Sequence, residues 1–223
     1  MKKYTKLIPK GMIVINKKTL IERQIEILKS VGINEIVIVT GYKSELINYK
    51  MAKYYHNENY NNTNMIESLM CAKTEFDQDV IVTYADLLYT EHLMLELIKA
   101  PHQITVCVDP NWKNYWLHRY GQTETDLETL SISNGVITEL GSYTKSSKGI
   151  QYRYVGAIKF SIKIISEIIS IYNRKKKLND KWIKSNKEFL NGYMTDFLNE
   201  MIVNDISLNP IMVGKQWLEI DTS

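Results

Sequence analysis

The chain has 223 residues and a formal net charge of +3, and its 44% hydrophobic and 24% charged residues are ordinary for a globular protein of one large domain or two small ones. Its dispersed basic residues argue against nucleic-acid binding, and no apolar stretch approaches the roughly 18 residues that span a bilayer. Two cysteines far apart in sequence, Cys71 and Cys107, argue against a disulfide framework and fit a reducing cytoplasm.

Helical and strand-like patterns alternate from the start of the chain. Thr19–Glu22 has the pattern of a capping box, which predicts a helix that ends at Gly32. The unbroken β-branched run Ile36–Val39 predicts a strand buried on both faces, as in a parallel sheet. A further helix is predicted near Ser44, and the Asn-rich residues 55–64 are predicted to form a loop beside a site.

The same alternation continues to residue 108. We predict a helix over Met65–Lys73, a strand from Val80 that ends at Asp86, a helix over Glu91–Lys99 and a strand over Ile104–Val108. In the first of these helices, Met65, Leu69 and Ala72 are expected to face inward. Strands that alternate with helices of about ten residues are typical of βαβ units, so we predict an α/β fold.

The second half begins with a hairpin signal. Asn134-Gly135 lies between the strand-like runs 130–133 and 136–140, and this dipeptide favours a tight β-hairpin turn. We then predict a strand over Tyr154–Phe160, a helix over Ile162–Tyr172, loop-rich residues 173–192, a helix over Met194–Val203, and strands over Ser207–Val213 and Trp217–Ile220.

Two acidic residues, Asp86 and Asp221, each close an apolar strand. In an open α/β sheet, ligands bind outside the carboxyl ends of the strands. Two carboxylates delivered there can share a hard cation, and Mg²⁺ is usually held by one or two carboxylates together with water and phosphate. The pair therefore indicates phosphate chemistry, although either residue alone has the alternative role of capping a turn.

Six segments in a fixed order add a family resemblance. They are Pro9–Met12, Thr19–Gln24, Ile38–Tyr42, Thr63–Leu69, Tyr84–Asp86 and Trp217–Thr222. As an ordered set, they resemble the nucleotidyltransferases that activate phosphorylated small molecules with an NTP, in particular the phosphocholine cytidylyltransferase-like group of sugar-phosphate nucleotidyltransferases. The resemblance covers essentially the whole chain.

The resemblance implies a Rossmann-like fold with a mostly parallel central sheet flanked by helices. Residues 1–223 would form a single domain, with a nucleotide-binding half up to about residue 110. The remaining half would bind the acceptor, contain a small antiparallel hairpin and return Asp221 to the site. Family members open with a strand and a Gly-rich loop, of which Met1–Thr5 matches only the end, and they continue beyond Ser223. The comparison therefore leads us to expect a chain truncated at both ends, whose sheet lacks one strand.

The family's nucleotide and metal roles fall on matching positions. Lys10 would contact NTP phosphates, with an exposed loop lysine as the alternative, and Asp86 and Asp221 would bind Mg²⁺. The other expected nucleotide-binding residues are Thr40, Gly41, Tyr42, Asn64 and Ser68. Asn64 has the equally weighted alternative of capping the helix that follows it.

The expected acceptor-binding residues include an aromatic and basic cluster. They are Tyr84, Trp112, Tyr115, Trp116, Arg119, Glu128, Arg153 and Asp196. Aromatic faces can hold an ammonium group and Arg119 can bind a phosphate, whereas the alternative places the aromatic side chains in the core. Glu128, Arg153 and Asp196 have the alternative role of structural ion-pair partners.

Together these features predict a Mg²⁺-dependent enzyme of the cytoplasm. We expect it to transfer a nucleotidyl group from an NTP, with CTP favoured, to phosphocholine or a related amino-alcohol phosphate or phosphonate, and to release pyrophosphate. A sugar-1-phosphate acceptor is one alternative, and a non-catalytic nucleotide-binding or regulatory module is another. A metal-dependent glycosyltransferase ranks last, because such enzymes usually carry Asp-x-Asp where this chain has Asp86-Leu87-Leu88.

Overall fold

A computed structural model describes residues 6–220, and it has the α/β architecture that the sequence predicts. Within these residues the helices are α1 (Leu20–Ser30), α2 (Met65–Cys71), α3 (Glu91–Lys99), α4 (Trp112–Tyr120), α5 (Ile162–Leu178) and α6 (Met194–Val203). The strands are β1 (Val14–Ile15), β2 (Lys18–Thr19), β3 (Ile36–Thr40), β4 (Ala52–His56), β5 (Val80–Thr83), β6 (Leu87–Tyr89), β7 (Ile104–Asp109), β8 (Glu128–Ser133), β9 (Val136–Tyr143), β10 (Arg153–Phe160), β11 (Asn209–Met212) and β12 (Trp217–Glu219). None of the helices in this range combines the length and apolarity needed to cross a bilayer.

The central sheet has the strand order β11-β7-β10-β5. Strand β11 pairs parallel with β7, whereas β10 runs antiparallel to both β7 and β5. Three of these four strands run in one direction, but only the β11–β7 pairing is parallel, so the sheet is mixed and not mostly parallel as predicted, because β10 lies between β7 and β5.

The core lies on both faces of this sheet. In β7, Ile104, Val106 and Val108 belong to the cluster that includes apolar residues of α5 and α6. Cys107 belongs to the opposite cluster, which includes residues of α3 and α4. Because successive side chains of a strand point to opposite faces, one apolar strand supplies both layers.

Strands β3 and β4 form a separate parallel pair, and a groove of about 940 Å³ is lined by residues of β3 and β5. Within residues 6–220, neither strand has a hydrogen-bonded partner on its remaining edge. The sequence predicted that Ile36–Val39 would be buried on both faces. Only Ile36 of that run is buried. The whole run lines the groove, which leaves Val37, Ile38 and Val39 partly exposed.

Local sequence signals place several elements as predicted. The hydroxyl of Thr19 accepts a hydrogen bond from the Glu22 backbone, and the Glu22 carboxylate accepts one from the Thr19 backbone. Asn134 and Gly135 have φ angles of 50° and 79°, and they join β8 and β9 in the predicted hairpin. These short-range interactions depend on neighbouring residues, which makes them readable from sequence.

Four local predictions were wrong. Helix α5 continues to Leu178 because Lys175 is buried and pairs with Glu200, so residues 173–178 are not loop.

The helix expected near Ser44 is a single 3₁₀ turn. The first two residues of the predicted Asn-rich loop belong to β4, which pairs with β3. Met65, expected to face inward, is 39% exposed because it lies in the first turn of α2, beside the groove.

Candidate active site

Lys10 and Asp86, two predicted site residues, form an ion pair just beyond the carboxyl end of β5. The strand was predicted to end at Asp86, but β5 ends at Thr83, and Asp86 lies in the turn that leads into β6. Lys10 Nζ lies 2.9 Å from Asp86 Oδ2, and the two side chains are 33% and 15% exposed. Lys10 begins a 3₁₀ turn that packs closely on α1, because a Cβ on Gly11 would lie 2.7 Å from the Ile21 side chain. The glycine therefore lets the lysine turn approach the strand end that carries Asp86.

The carboxyl end of β12 lies beside Asp86. Strand β12 pairs antiparallel with β6, which follows Asp86 in the chain. The backbone N–H of Ile220 donates to the carbonyl oxygen of Asp86 at 2.9 Å. The carboxyl end of β12 and the residue that precedes β6 are therefore neighbours, although 134 positions separate Ile220 from Asp86 in the sequence. Asp221 lies outside the described residues.

Asp86 has the donor chemistry that Mg²⁺ prefers. Its carboxylate is partly accessible and lies at a strand end where a phosphate ligand can approach. Among residues 6–220, no group of three His, Cys, Asp or Glu side chains is arranged to hold a metal. A Mg²⁺ ion bound mainly by phosphate and water needs one or two protein carboxylates, so Asp86 fits such an ion.

Glu219 is a site residue that the sequence reasoning missed. Its carboxylate accepts a hydrogen bond from Arg119 Nη1 at 2.7 Å. Burial raises the pKa of the Glu219 carboxyl above its usual range, while Arg119 opposes this rise and the nearby Asp86 charge adds to it. Its position two residues before Asp221 in the sequence was a signal that could have identified it, because alternate residues of an extended segment share one face.

Tyr115 and Arg119 lie one helical turn apart on α4, and both contact Glu219. The Tyr115 hydroxyl accepts from the Glu219 backbone N–H at 2.9 Å and donates to its carbonyl oxygen at 3.2 Å. Arg119 also has a buried Nη2 without a hydrogen-bond partner among the described residues. The predicted phosphate contact of Arg119 must therefore compete with its ion pair to Glu219.

Trp112 and Trp116 belong to the core. They are 1% and 0% exposed, and their rings pack edge to face at 5.8 Å. Both rings therefore lie where the core alternative places them, in the cluster that also contains Leu93 and Trp217. A periodic aromatic pattern does not reveal which face of a helix meets the sheet.

Glu128, Arg153 and Tyr84 lie within electrostatic reach of the same edge. Arg153 bonds to the carbonyl oxygen of Asp126 at 2.6 Å and to its Oδ2 at 2.9 Å. Burial raises the pKa of Glu128, Arg153 opposes this rise, and the carboxylates of three further residues, Asp126, Glu219 and Asp196, add to it. The Tyr84 hydroxyl lies 3.0 Å from that of Tyr154. This part of the site therefore contains more carboxylates than cations.

Asp196 has a structural role. It is buried, and its Oδ2 accepts a hydrogen bond from the Tyr193 backbone N–H at 2.9 Å, which caps α6. In place of the acceptor contact that the sequence predicted, the Asp196 carboxylate has the ordinary role of an acidic residue in the first turn of a helix.

The predicted Thr40-Gly41-Tyr42 segment begins at the last residue of β3, and its residues make local contacts. The buried Thr40 hydroxyl donates to the Tyr55 carbonyl at 3.2 Å. A Cβ on Gly41 would lie 2.7 Å from Tyr60, and the Tyr42 hydroxyl donates to the Lys6 carbonyl at 2.7 Å. These contacts fix the segment, and the Thr40 hydroxyl is engaged by the neighbouring strand β4.

Asn64 immediately precedes α2 and Ser68 is its fourth residue, and both line the groove that contains Lys10 and Asp86. Asn64 Oδ1 accepts from the Met65 backbone N–H at 2.9 Å, so its capping role is realised. Ser68 Oγ accepts from Nδ2 of the buried Asn57 at 3.0 Å. Asn57, which we did not predict, therefore organises the Asn-rich loop beside the site.

Comparison with known proteins places this geometry in a family context. The profile described as the MobA-like NTP transferase domain matches residues 2–145. A CTP:phosphoglutamine cytidylyltransferase of Campylobacter jejuni is 36% identical over 228 aligned residues, which cover 97% of this chain and 89% of that protein.

Two further comparisons are with cytidylyltransferases of Streptococcus pneumoniae. A choline-phosphate cytidylyltransferase of that organism is 32% identical over 117 residues, or 51% of this chain and 50% of that protein. The solved structure of a CTP:phosphocholine cytidylyltransferase from Streptococcus pneumoniae superposes with a TM-score of 0.75 at 20% identity. It covers 100% of this chain and 88% of the other, so the likeness shows the fold.

Proposed function

We propose that this chain, which belongs to the MobA-like NTP transferase domain family, transfers CMP from CTP to a phosphorylated small molecule that carries a positively charged nitrogen. Nucleotidyl transfer follows from the family profile and from the relative that matches nearly the whole chain. The choice of CTP, Mg²⁺ and acceptor is our proposal. The Lys10–Asp86 pair at the carboxyl end of β5 is the structural observation that carries it.

In the proposed reaction, an oxygen of the acceptor phosphate attacks the α-phosphorus of CTP. A new P–O bond forms, the bond to the β-phosphate oxygen breaks, and pyrophosphate leaves with that electron pair. The attacking phosphate is already an anion, so the step requires no general base. The Lys10 ammonium neutralises charge on the α-phosphate and the leaving pyrophosphate, which lowers the barrier.

Asp86 and Asp221 are proposed to hold the Mg²⁺ ion. When bound, such an ion neutralises charge on phosphate oxygens and orients them. Asp86 also keeps Lys10 at the strand end through their ion pair, so the lysine is in place before the nucleotide arrives. The nucleotide would occupy the groove beside Asn64 and Ser68, which is also lined by Lys10 and Asp86.

The excess of carboxylates supports a cationic acceptor. Glu128 is half-buried, and Arg153, the cation beside it, is engaged by Asp126. A positively charged nitrogen would relieve the cost of a buried, ionised Glu128. The names of two relatives fit this chemistry, because phosphoglutamine and choline phosphate both combine a phosphate with a positively charged nitrogen. Related amino-alcohol phosphates and phosphonates share it.

The test is pyrophosphate release measured with each of the four NTPs in turn. Phosphoglutamine, phosphocholine, 2-aminoethylphosphonate and a sugar 1-phosphate would serve as acceptors, each with Mg²⁺ and with EDTA. We expect release that requires CTP, Mg²⁺ and one of the amino-bearing acceptors. Release with the sugar 1-phosphate alone would overturn the acceptor proposal, and release unaffected by EDTA would overturn the metal proposal.

A further inference from the structure

Strand β12 is too short to hold its own position. It has three residues, and it forms a two-stranded ribbon with the three residues of β6. Such a ribbon is marginal in isolation, since its few hydrogen bonds do not offset the entropy lost on ordering. Yet the residue after this strand, Ile220, must stay beside Asp86, because its N–H bonds to the Asp86 carbonyl.

Helix α4 supplies the missing restraint. Tyr115 and Arg119 are at positions i and i+4, which place them on one face of the helix. The Tyr115 hydroxyl holds both backbone polar groups of Glu219, and Arg119 holds its carboxylate. Every polar group of Glu219 except one carboxylate oxygen is thereby bound by two side chains of α4.

Packing makes the restraint rigid. The Tyr115 ring lies 5.1 Å from that of Trp217, the first residue of β12. The Arg119 guanidinium lies 4.8 Å from the centre of the Tyr120 ring and 5.6 Å from that of Trp116. At its other end, β12 is tied to β7, because Trp217 Nε1 donates to the buried Asp109 Oδ2 at 2.9 Å.

We propose that Tyr115 and Arg119 are positioning residues that clamp the end of β12 against Asp86 and so determine how tightly the site binds its divalent cation. This inference rests on the proposed function. It differs from the acceptor contact predicted from sequence, since the Tyr115 hydroxyl already both donates and accepts a hydrogen bond to the backbone. Without the clamp, the strand end would move relative to Asp86 while the groove residues stayed in place.

Tyr115→Phe tests the clamp, because it removes both backbone hydrogen bonds and keeps the ring against Trp217. The readout is Mn²⁺ binding to the CTP complex, followed by the electron paramagnetic resonance of free Mn²⁺, together with the Mg²⁺ concentration for half-maximal turnover. We expect the dissociation constant for Mn²⁺ and the Mg²⁺ concentration for half-maximal turnover each to rise about tenfold, while the KM for CTP at saturating Mg²⁺ changes less than about twofold. Faster amide exchange over residues 217–220 should accompany the change.

Tyr55→Phe is the matched control. It also removes a hydroxyl with two hydrogen-bond partners, Thr74 at 2.8 Å and Glu75 at 2.5 Å, but on β4, away from β12. It should leave Mn²⁺ binding unchanged.

Arg119→Lys is the second variant, for the case that Tyr115→Phe does not fold. It keeps the positive charge but loses the guanidinium geometry, and we expect it to weaken Mn²⁺ binding by less than Tyr115→Phe would.

The outcomes separate the two proposals. The wild-type protein could show turnover that depends on CTP and Mg²⁺ while Tyr115→Phe binds Mn²⁺ as the wild type does. That pair of results would overturn the clamp but not the proposed function. Equal loss of Mn²⁺ binding in both Tyr→Phe variants would also overturn it, because a general loss of stability would then explain the effect. A wild-type protein that binds no Mn²⁺ with CTP would overturn the proposed function and the clamp together.

Discussion

Lys10 and Asp86 are 76 positions apart, and their ion pair defines the centre of the site. Neither residue is remarkable in sequence, where a lysine after a proline and an aspartate after a strand are common. Their proximity restricts the ligands that suit this site, since a lysine ammonium beside a carboxylate that we propose binds Mg²⁺ suits a ligand that carries phosphates.

Asp86→Asn should reduce turnover about a thousandfold, because the amide still accepts a hydrogen bond from Lys10 but binds Mg²⁺ poorly. Thermal unfolding should change little. Asp79→Asn is the control, since Asp79 lies just before β5 at its amino end and pairs with Lys159 at 3.3 Å. Its turnover should stay within about twofold of wild type. Comparable activity of Asp86→Asn and Asp79→Asn would remove Asp86 from the metal site.

Glu128→Gln should weaken acceptor binding and stabilise the protein at neutral pH. Burial raises the pKa of Glu128 in the folded protein above its value of about 4.3 in the unfolded chain. The stability that this difference contributes is therefore fully present below the unfolded pKa, and it is lost as the pH rises through the folded pKa and the buried carboxyl ionises. Glutamine avoids that loss. The KM for the acceptor should rise about tenfold, because an ionic contact is removed.

The pH dependence of urea unfolding distinguishes the removal of the Glu128 charge from a general change in stability. The advantage of Glu128→Gln should be clear at pH 7.5 and shrink toward pH 4. Glu124→Gln should behave oppositely, because hydrogen bonds from Ser147 and Thr123 lower the pKa of Glu124. Stability from that group is present above the unfolded pKa and is lost as pH falls. A Glu128 variant that is less stable at pH 7.5 would contradict our interpretation.

Among the elements, β10 contains a bulge that shapes the site. The register of β10 against β7 shifts between Tyr154 and Ile158, and Gly156 there has a φ of +83°. A Cβ on Gly156 would lie 2.7 Å from the Tyr84 ring. The glycine thus allows a conformation that other residues disfavour, and it allows Tyr84 to reach Tyr154 next to Asp86.

Gly156→Ala should therefore destabilise the protein by about 2–4 kcal/mol, from a strained φ combined with overpacking. Gly135→Ala is the matched control, because Gly135 also has a positive φ, of +79°, but open space around its Cα. It should cost about 1 kcal/mol. Urea denaturation of both variants measures the difference, and equal losses would show that the contact with Tyr84 contributes nothing.

At the scale of the whole molecule, stability is unevenly distributed. All six residues of β7 are buried between β10 and β11 and between two core clusters. The β3–β4 pair borders the groove, and within residues 6–220 its two strands pair only with each other. Global unfolding should be needed to expose the amides of β7, whereas local opening should expose those of β4.

Hydrogen exchange followed by mass spectrometry checks this distribution. Peptides from β7 should exchange about a hundredfold or more slowly than peptides from β4. The hairpin strands β8 and β9 serve as an internal reference, since they also form a two-stranded sheet but pack on α6 through Leu140. Equal protection of β4 and β7 would show that something covers the groove in solution.

Much of the fold could be predicted from sequence because its signals are local. The capping box at Thr19, the Asn134-Gly135 turn and helix α3 depend on residues within a few positions of each other. The site was partly predictable for another reason. Strand ends collect at one sheet edge, so Asp86 could be assigned to a ligand-binding edge before its neighbours were known.

The sequence by itself determined the α/β class, most element positions and the family to which the ordered motifs belong. Only the tertiary structure decided that Trp116 is core, that Asp196 caps a helix, and that α4 holds Glu219. The physical reason is that periodicity reports which positions are apolar but not which surface covers them. Contacts such as Arg119–Glu219, 100 positions apart, exist only once the strands have paired and brought their ends together.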